Sequence, residues 1–449
     1  MRLRIPFLLF AALCAASASA SLDFTSGDAK AIAITPEAST GLEGLYVLPH
    51  TAGVEVTYTA TSTTGSFSVS RFSNLGGAHS EPVAASRNGA RITFTALAGD
   101  MGYIVEEGGR QHCYWLTDYS QHRFEIRSVG FAPEQDCARA TLTFDGEAAD
   151  IAYYTINGRR MVLSRDIDVE YNTLKFDETS FGYVQGAEHH SVASINGSVI
   201  GVDAPLCDTS FKISGDRFLT VWGEEESAES EVYKAIAVAA ESKATQEERD
   251  NDNEQGSGDD DGGDTFGGSA PCMMHFDACV TDAAIFREWQ ISRDPEFGIS
   301  ENTFNELSFD YTFDQNGSTY VRFVANNNDG TCEFFGPTYQ IFIGESKLEI
   351  PNAFSPEASP GVNDEWKVSY KSIVSFECHI FNKWGQEVFS TTDPAQGWNG
   401  KYKGKYVAPG VYYYVIKARG ADDIKYNRAG DINIIKYTQS SPSAGTTEP

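Results

Sequence analysis

Past its first twenty residues the sequence has no apolar run near the ~18 residues that a membrane-spanning helix needs. Residues 235–240 and 411–416 are the longest candidates, at six each. No transmembrane helix is expected. Basic residues are also scarce, 34 Lys and Arg against 63 Asp and Glu, and the formal charge of −29 repels phosphate backbones and anionic lipid heads alike. Nucleic acid is therefore excluded as a partner. The histidines number eight, and no His-Glu-x-x-His, nucleophile elbow or Gly-rich phosphate loop opening a helix is present. No cysteine pair has the CxxC spacing of a structural zinc site. The segment Glu188-His189-His190 offers the best acid/base or metal donors, but neighbours on a strand point to opposite faces, so it reads as a polar loop; His112 beside Cys113 shares that defect. No catalytic residue, metal ligand or cofactor is assigned, and the chain is not expected to be an enzyme.

Set against these absences are 449 residues, 41% of them hydrophobic, enough for ordinary cores in three or four domains. Residues 1–20 read as a secretory signal peptide: Arg2 and Arg4, an apolar stretch over 5–16, then Ala18-Ser19-Ala20 before a cut at Ser21. Leu13 is too bulky for a lipobox ahead of Cys14. The expectation is delivery to the periplasm by the general secretory route, then a secreted or cell-surface location.

Seven cysteines remain after that cut, so at least one stays unpaired. Along 272–280, Met274, Phe276, Ala278 and Val280 share the parity of Cys272, while Cys279 points the other way. This favours a Cys272–Cys332 bridge with Cys279 left over. Cys137 with Cys207 is the second candidate pair, and Cys378, in phase with Phe376 and Ile380, reads as a small buried hydrophobe.

From residue 21 to about 245 the chain shows short β-forming runs between Gly, Asn and Ser, without helical stretches of crossover length. Two sandwiches follow, 21–121 and 122–245. In the second, Asn157-Gly158 between 151–156 and 161–163 signals a hairpin with a type I′ turn. Residues 232–244 suit either helix or strand and are taken as that sandwich's last strand. Residues 246–270 form an acidic flexible linker, since 246–268 hold nine acidic residues and one basic one. Asp250, Asp252, Glu254 and Asp261 have the spacing of a calcium loop, but Gln255 occupies the glycine position, so a spacer is the better description.

In 271–346, a Trp-bearing run, 285–292, is followed by Asp310-Tyr-Thr-Phe-Asp-Gln-Asn-Gly317, alternating Tyr320/Val321 positions and Asn327-Asn-Asp-Gly330. This resembles the polycystic-kidney-disease (PKD) repeat, an immunoglobulin-like module, which implies a spacer or binding surface. Residues 347–438 carry several ordered motifs: Pro351, Asn352 and Phe354; Asn363 and Asp364; Phe381, Asn382, Trp384 and Gly385; Trp398 and Gly400; Gly404; then Pro409, Gly410 and Tyr412. They resemble the gliding-motility-associated C-terminal domain, the type B sorting module of the type IX secretion system. In place of the Asn-Gly-Asp-Gly-like stretch common in that family stands 357–361, so no ion site is assigned there. Independently of the family, Trp384 and Trp398 would cover the sandwich ends beside their turn glycines. Residues 350–436 carry eleven basic and nine acidic groups, a cationic block on an anionic protein. Residues 439–449 are read as a disordered tail.

The fold class expected is all-β: tandem immunoglobulin-like sandwiches joined by an acidic disordered linker. The function expected is that of a non-catalytic, adhesive or structural surface protein whose last domain engages the type IX machinery. A glycan-binding surface protein is the alternative, and a hydrolase with its site in 22–245 the third. An extracellular protein or glycan ligand is implied but not identified.

Overall fold

A computed structural model describes residues 22–25, 30–74, 79–95, 97–256, 265–356 and 363–435. The signal peptide, the tail, residues 257–264 of the linker with Asp261, and the 357–361 departure lie outside these. The regular structure of the described residues is almost all strand, with one α-helix, Arg217–Trp222. The chain divides into two units, 1–174 with 185–235, and 175–184 with 236–449.

In the first unit a six-stranded sheet supplies both of its faces to cores. Every residue of the strand Gly44–Leu48 is buried. The period of two then splits the strand: Tyr46 and Leu48 join Val56, Tyr58, Ile92 and Phe94 of a four-stranded sheet, whereas Leu45 and Val47 join Phe124, Leu142 and Ile200. The neighbouring strand Arg110–Asp118 splits likewise, Tyr114 and Leu116 to one core, Cys113 and Trp115 to the other. One hydrophobic core therefore runs through the 121/122 boundary. Gly102 permits part of this, because a Cβ there would collide with the Phe72 ring.

The hairpin Ile151–Tyr154 with Arg160–Leu163 forms, with Ile151 opposite Leu163. Its turn differs: Gly158 has φ +82° and Asn157 is not left-handed. The bonds Gly158 N to Thr155 O (3.0 Å) and Thr155 N to Arg159 O (3.0 Å) make a longer loop with one left-handed glycine, so a type I′ turn is not required.

In the second unit the strand Ala240–Gln246 pairs with Cys272–Val280, which in turn pairs with Ser308–Phe313. Part of the ambiguous 232–244 run is thus a strand of the third sandwich, not of the second. Trp289 is fully buried in this sandwich, its ring 5.1 Å from Phe323 and 5.3 Å from Phe276. The linker departs from expectation as well. Asn253 Nδ2 donates to Val368 O at 2.7 Å and Pro394 O at 2.9 Å, Gln255 N donates to Tyr370 O at 2.7 Å, and Arg249 pairs with Glu254 at 2.7 Å. Beyond the undescribed stretch, Thr265–Gly268 lies parallel to Tyr339–Ile343. Amides and backbone groups hold residues 253–255 to the last domain, while Phe266 and Ala270 pack with the core of the third sandwich.

That domain is built on a five-stranded sheet, ordered Ala353–Phe354, Lys425–Ile434, Gly410–Gly420, Ile373–Phe381, Glu387–Thr391. Inward residues Phe376, Cys378, Ile380, Tyr412, Ile416 and Ile432 pack with Trp366 and Trp398.

Candidate functional site

Most of the motif residues in 347–438 turn out to hold the fold. Pro351 O accepts from Trp366 Nε1 at 2.7 Å, and Asn352 O from Asn433 N at 2.9 Å. Phe354 is buried with its ring 5.5 Å from Trp398. Asn363 has φ +55° and gives its carbonyl to Ser355 N at 3.0 Å, with Asp364 half-buried beside it. Trp398, 1% exposed, exchanges two backbone bonds of 2.9 Å with Trp366, and its Nε1 donates to Lys401 O at 3.1 Å. Gly400 and Gly404 are left-handed at φ +74° and +79°. Beyond Pro409, Gly410 opens the strand in which Tyr412 Oη donates to Ala408 O at 2.9 Å and its ring meets Trp398 at 5.2 Å.

Phe381 and Trp384 do not share this role. Asn382 Oδ1 accepts from Trp384 N and Gln386 N, both at 3.0 Å, and Gly385 at φ +78° completes the turn. The turn orders the backbone but leaves the Trp384 ring 79% exposed, with Lys383 Nζ 4.5 Å from its centroid. The expectation that it plugs the sandwich end is therefore corrected: Trp398 and Trp366 already fill that space. On the outer sheet face Phe381 stands opposite Tyr413, and His379 opposite Val415. His379 lies between Glu387 (2.7 Å) and Glu377 (3.0 Å), bonds that raise its pKa above the ordinary imidazole value. A shallow cavity of about 130 Å³ opens against these residues.

The cysteines follow another plan. Cys272 is a free thiol in the core, while Cys332 is disulfide-bonded, so the Cys272–Cys332 bridge is not formed. The parity argument placed Cys272 inward correctly, but inward here means against Met274, Phe276 and Trp289. Cys137 is also disulfide-bonded, whereas Cys207 Sγ lies 3.7 Å from Asn172 O, so the Cys137–Cys207 pairing is not supported either. Neither Cys137 nor Cys332 carries a strand-parity signal that would have marked it.

Two clefts could host chemistry. In the first unit a cleft of about 620 Å³ gathers Asp166, Asp168, Asp216, Glu224 and Glu225. Each has a cationic partner: Arg217, His189, Arg165, Arg123 and Lys212 respectively. Such pairing fits carboxylates that hold structure better than a general acid and base. Near it, Asp168, Glu170 and His189 bring ligand atoms within 4.8 Å of one another and could hold a metal ion. His189 lies on the strand Gly182–Val192 rather than in the expected polar loop, with Asp168 hydrogen-bonded at 2.9 Å and raising its pKa.

The second cleft, about 710 Å³, lies in the third sandwich where the strand starting at Phe286 meets Val324–Asn326 and Glu333–Phe335. Two registers define its floor: Phe286, Asn326 and Glu333 in one row, Glu288, Val324 and Phe335 in the next. Gln290 Nε2 donates to Glu288 at 2.6 Å and Gln290 Oε1 accepts from Arg322 Nε at 2.9 Å, so the polar groups are held in order. Phe286 and Phe335 stay 56% and 59% exposed. Alternation in 320–326 was visible in the sequence; that two Phe residues share its outer face was not.

Comparison with known protein families gives two matches. A fibronectin type III domain model matches residues 129–230, and a type IX secretion signal domain model matches residues 348–434. No curated protein matches the chain. Among solved structures it is similar to the tetra-tandem repeat in the extending region of a large adhesion protein, at 10% identity, covering 86% of this chain and 96% of that one with a TM-score of 0.21. Three N-terminal domains of the highly immunogenic outer capsid protein of bacteriophage RB49 match at 12% identity, 70% and 99% coverage and TM-score 0.21. Dimeric latent PorU from Porphyromonas gingivalis matches at 10%, 74% and 36%, and 0.15. At such TM-scores these likenesses carry no argument about function.

Proposed function

We propose that the chain is a non-catalytic, exported surface protein in which the type IX secretion signal domain at 348–434 is the sorting element and the upstream sandwiches are adhesive or structural cargo. The observation that carries this reading is the division of labour among the motif residues. Phe354, Trp398 and Tyr412 are used up in packing and the Pro351 carbonyl in a hydrogen bond to Trp366, while Trp384 sits on an ordered turn with its ring in solvent. A rigid turn holding an exposed aromatic ring is how interfaces present an anchor at small entropic cost. The motifs are spread over some 90 residues, so the machinery would meet a folded shape rather than a linear peptide. The route begins, on this reading, with removal of residues 1–20 in the periplasm.

The test is fractionation in the native host. A chain ending at Ser346 is expected to remain in the periplasm, and the Trp384→Ala chain to fold but reach the surface at a reduced level. Surface display of the truncated chain at the normal level would refute the sorting role.

A further inference from the structure

We infer that the 710 Å³ cleft of the third sandwich is a binding site for neutral oligosaccharides. The inference rests on the adhesive reading of the upstream sandwiches and gives it a ligand.

Exposed side chains of two kinds meet there in a fixed pattern. Phe286 and Phe335 stand at opposite corners of two adjacent cross-strand rows. They are two strand spacings and one residue pair apart, about 12 Å by strand geometry. Between them lie Asn326, Glu288 and Glu333, and the chain of bonds from Arg322 through Gln290 fixes the Glu288 carboxylate. Arg322 also lies 5.2 Å from the Phe335 ring centroid and 4.0 Å from that of Phe297, bracing one corner. Apolar ring faces separated by a floor of carboxylates and amides match a sugar's own surface, in which patches of C–H alternate with hydroxyls. The rings take the C–H faces, and the carboxylates accept paired hydroxyls in charge-assisted hydrogen bonds. The volume falls within the range of small-ligand sites and suits several rings better than one.

Charge selects the class of sugar. Asp282, Glu288 and Glu333 line the cleft against Arg287, on a chain of formal charge −29. Uronates and sulfated glycans would be repelled, as would phosphate groups. A peptide strand finds no free edge on the central floor strand, where Val324 and Asn326 are paired on both sides.

The test uses the purified full chain on a printed panel of neutral gluco-, galacto-, manno- and xylo-oligosaccharides beside uronate and sulfated counterparts. Binding to at least one neutral oligosaccharide is expected, with affinity at least tenfold lower for Phe335→Ala, Phe286→Ala and Glu288→Gln and unchanged for Trp384→Ala. Both Phe rings are more than half exposed, so these variants should fold, as an unchanged near-UV circular dichroism spectrum would verify. Absence of any neutral ligand, equal binding of charged glycans, or affinity that survives both Phe substitutions would overturn the inference. The assay bypasses export, so its failure would leave the sorting role standing.

Discussion

Arg165 and Asp216 form an ion pair of 2.7 Å with both side chains almost wholly excluded from solvent. Around it, Arg165 donates to Ala149 O at 2.8 Å and His122 O at 2.7 Å, while Asp216 Oδ1 accepts from Tyr119 Oη at 2.8 Å and caps the helix Arg217–Trp222 through Phe218 N and Leu219 N. A buried pair contributes little over a well-packed apolar replacement, but removing one partner strands a charge. Arg165→Met is therefore expected to destabilise the first unit by about 3–5 kcal/mol. Urea unfolding followed through a first-unit probe measures this, and in the Arg165→Met/Asp216→Leu double variant the loss should be smaller than the sum of the singles.

The two tryptophans of the last domain should respond in opposite ways. Trp398→Ala empties a site lined by Phe354 and Tyr412 and is expected to cost roughly 3–5 kcal/mol. Trp384→Ala removes a ring that is mostly in water and should stay within about 0.5 kcal/mol of the parent. Parallel thermal melts distinguish the two, and a large loss in Trp384→Ala would contradict its exposure.

Why these two looked alike in the sequence has a physical answer. Both precede or flank a left-handed glycine, and pattern alone cannot say which ring finds a cavity. Strand parity was more informative, since it placed Cys272 and Cys378 inward, where the structure has them. It could not supply pairing between distant segments. The linker shows the same limit: composition argued against a core there, yet Asn253 and Gln255 needed only backbone partners on another domain. The outer-face pairs, Phe286 with Phe335 and Phe381 with Tyr413, depend on register between strands and were not legible beforehand.

Thiol chemistry gives a third prediction. Burial raises the pKa of Cys272 and Cys113 to about 11 and of Cys378 to about 12. The thiolate fraction at pH 8 is then negligible, and the sulfurs are covered as well. All three should resist iodoacetamide in the native protein and react fully in denaturant without reductant. Recovery of Cys272 in a non-reduced cross-linked peptide would contradict the free thiol.

The last prediction concerns pH and the outer face of the last domain. His379 is hydrogen-bonded by Glu377 and Glu387 and packs against Phe381 at 6.3 Å, with Lys417 opposite Glu377 as the nearby cation. The two carboxylates favour imidazolium, so the folded pKa lies above the ordinary value of about 6.5. A raised folded pKa gives a stabilising increment that is complete below the unfolded value and disappears as pH rises through the folded one. Domain stability should therefore decline from about pH 6.5 upward, and His379→Gln should flatten that slope while lowering stability on the acidic side. Because the group is largely solvent-screened, the slope will be shallow, and an NMR titration of the His379 ring is the sharper measurement. A midpoint at or below the free-imidazole value would show that the carboxylate pair does not hold the proton.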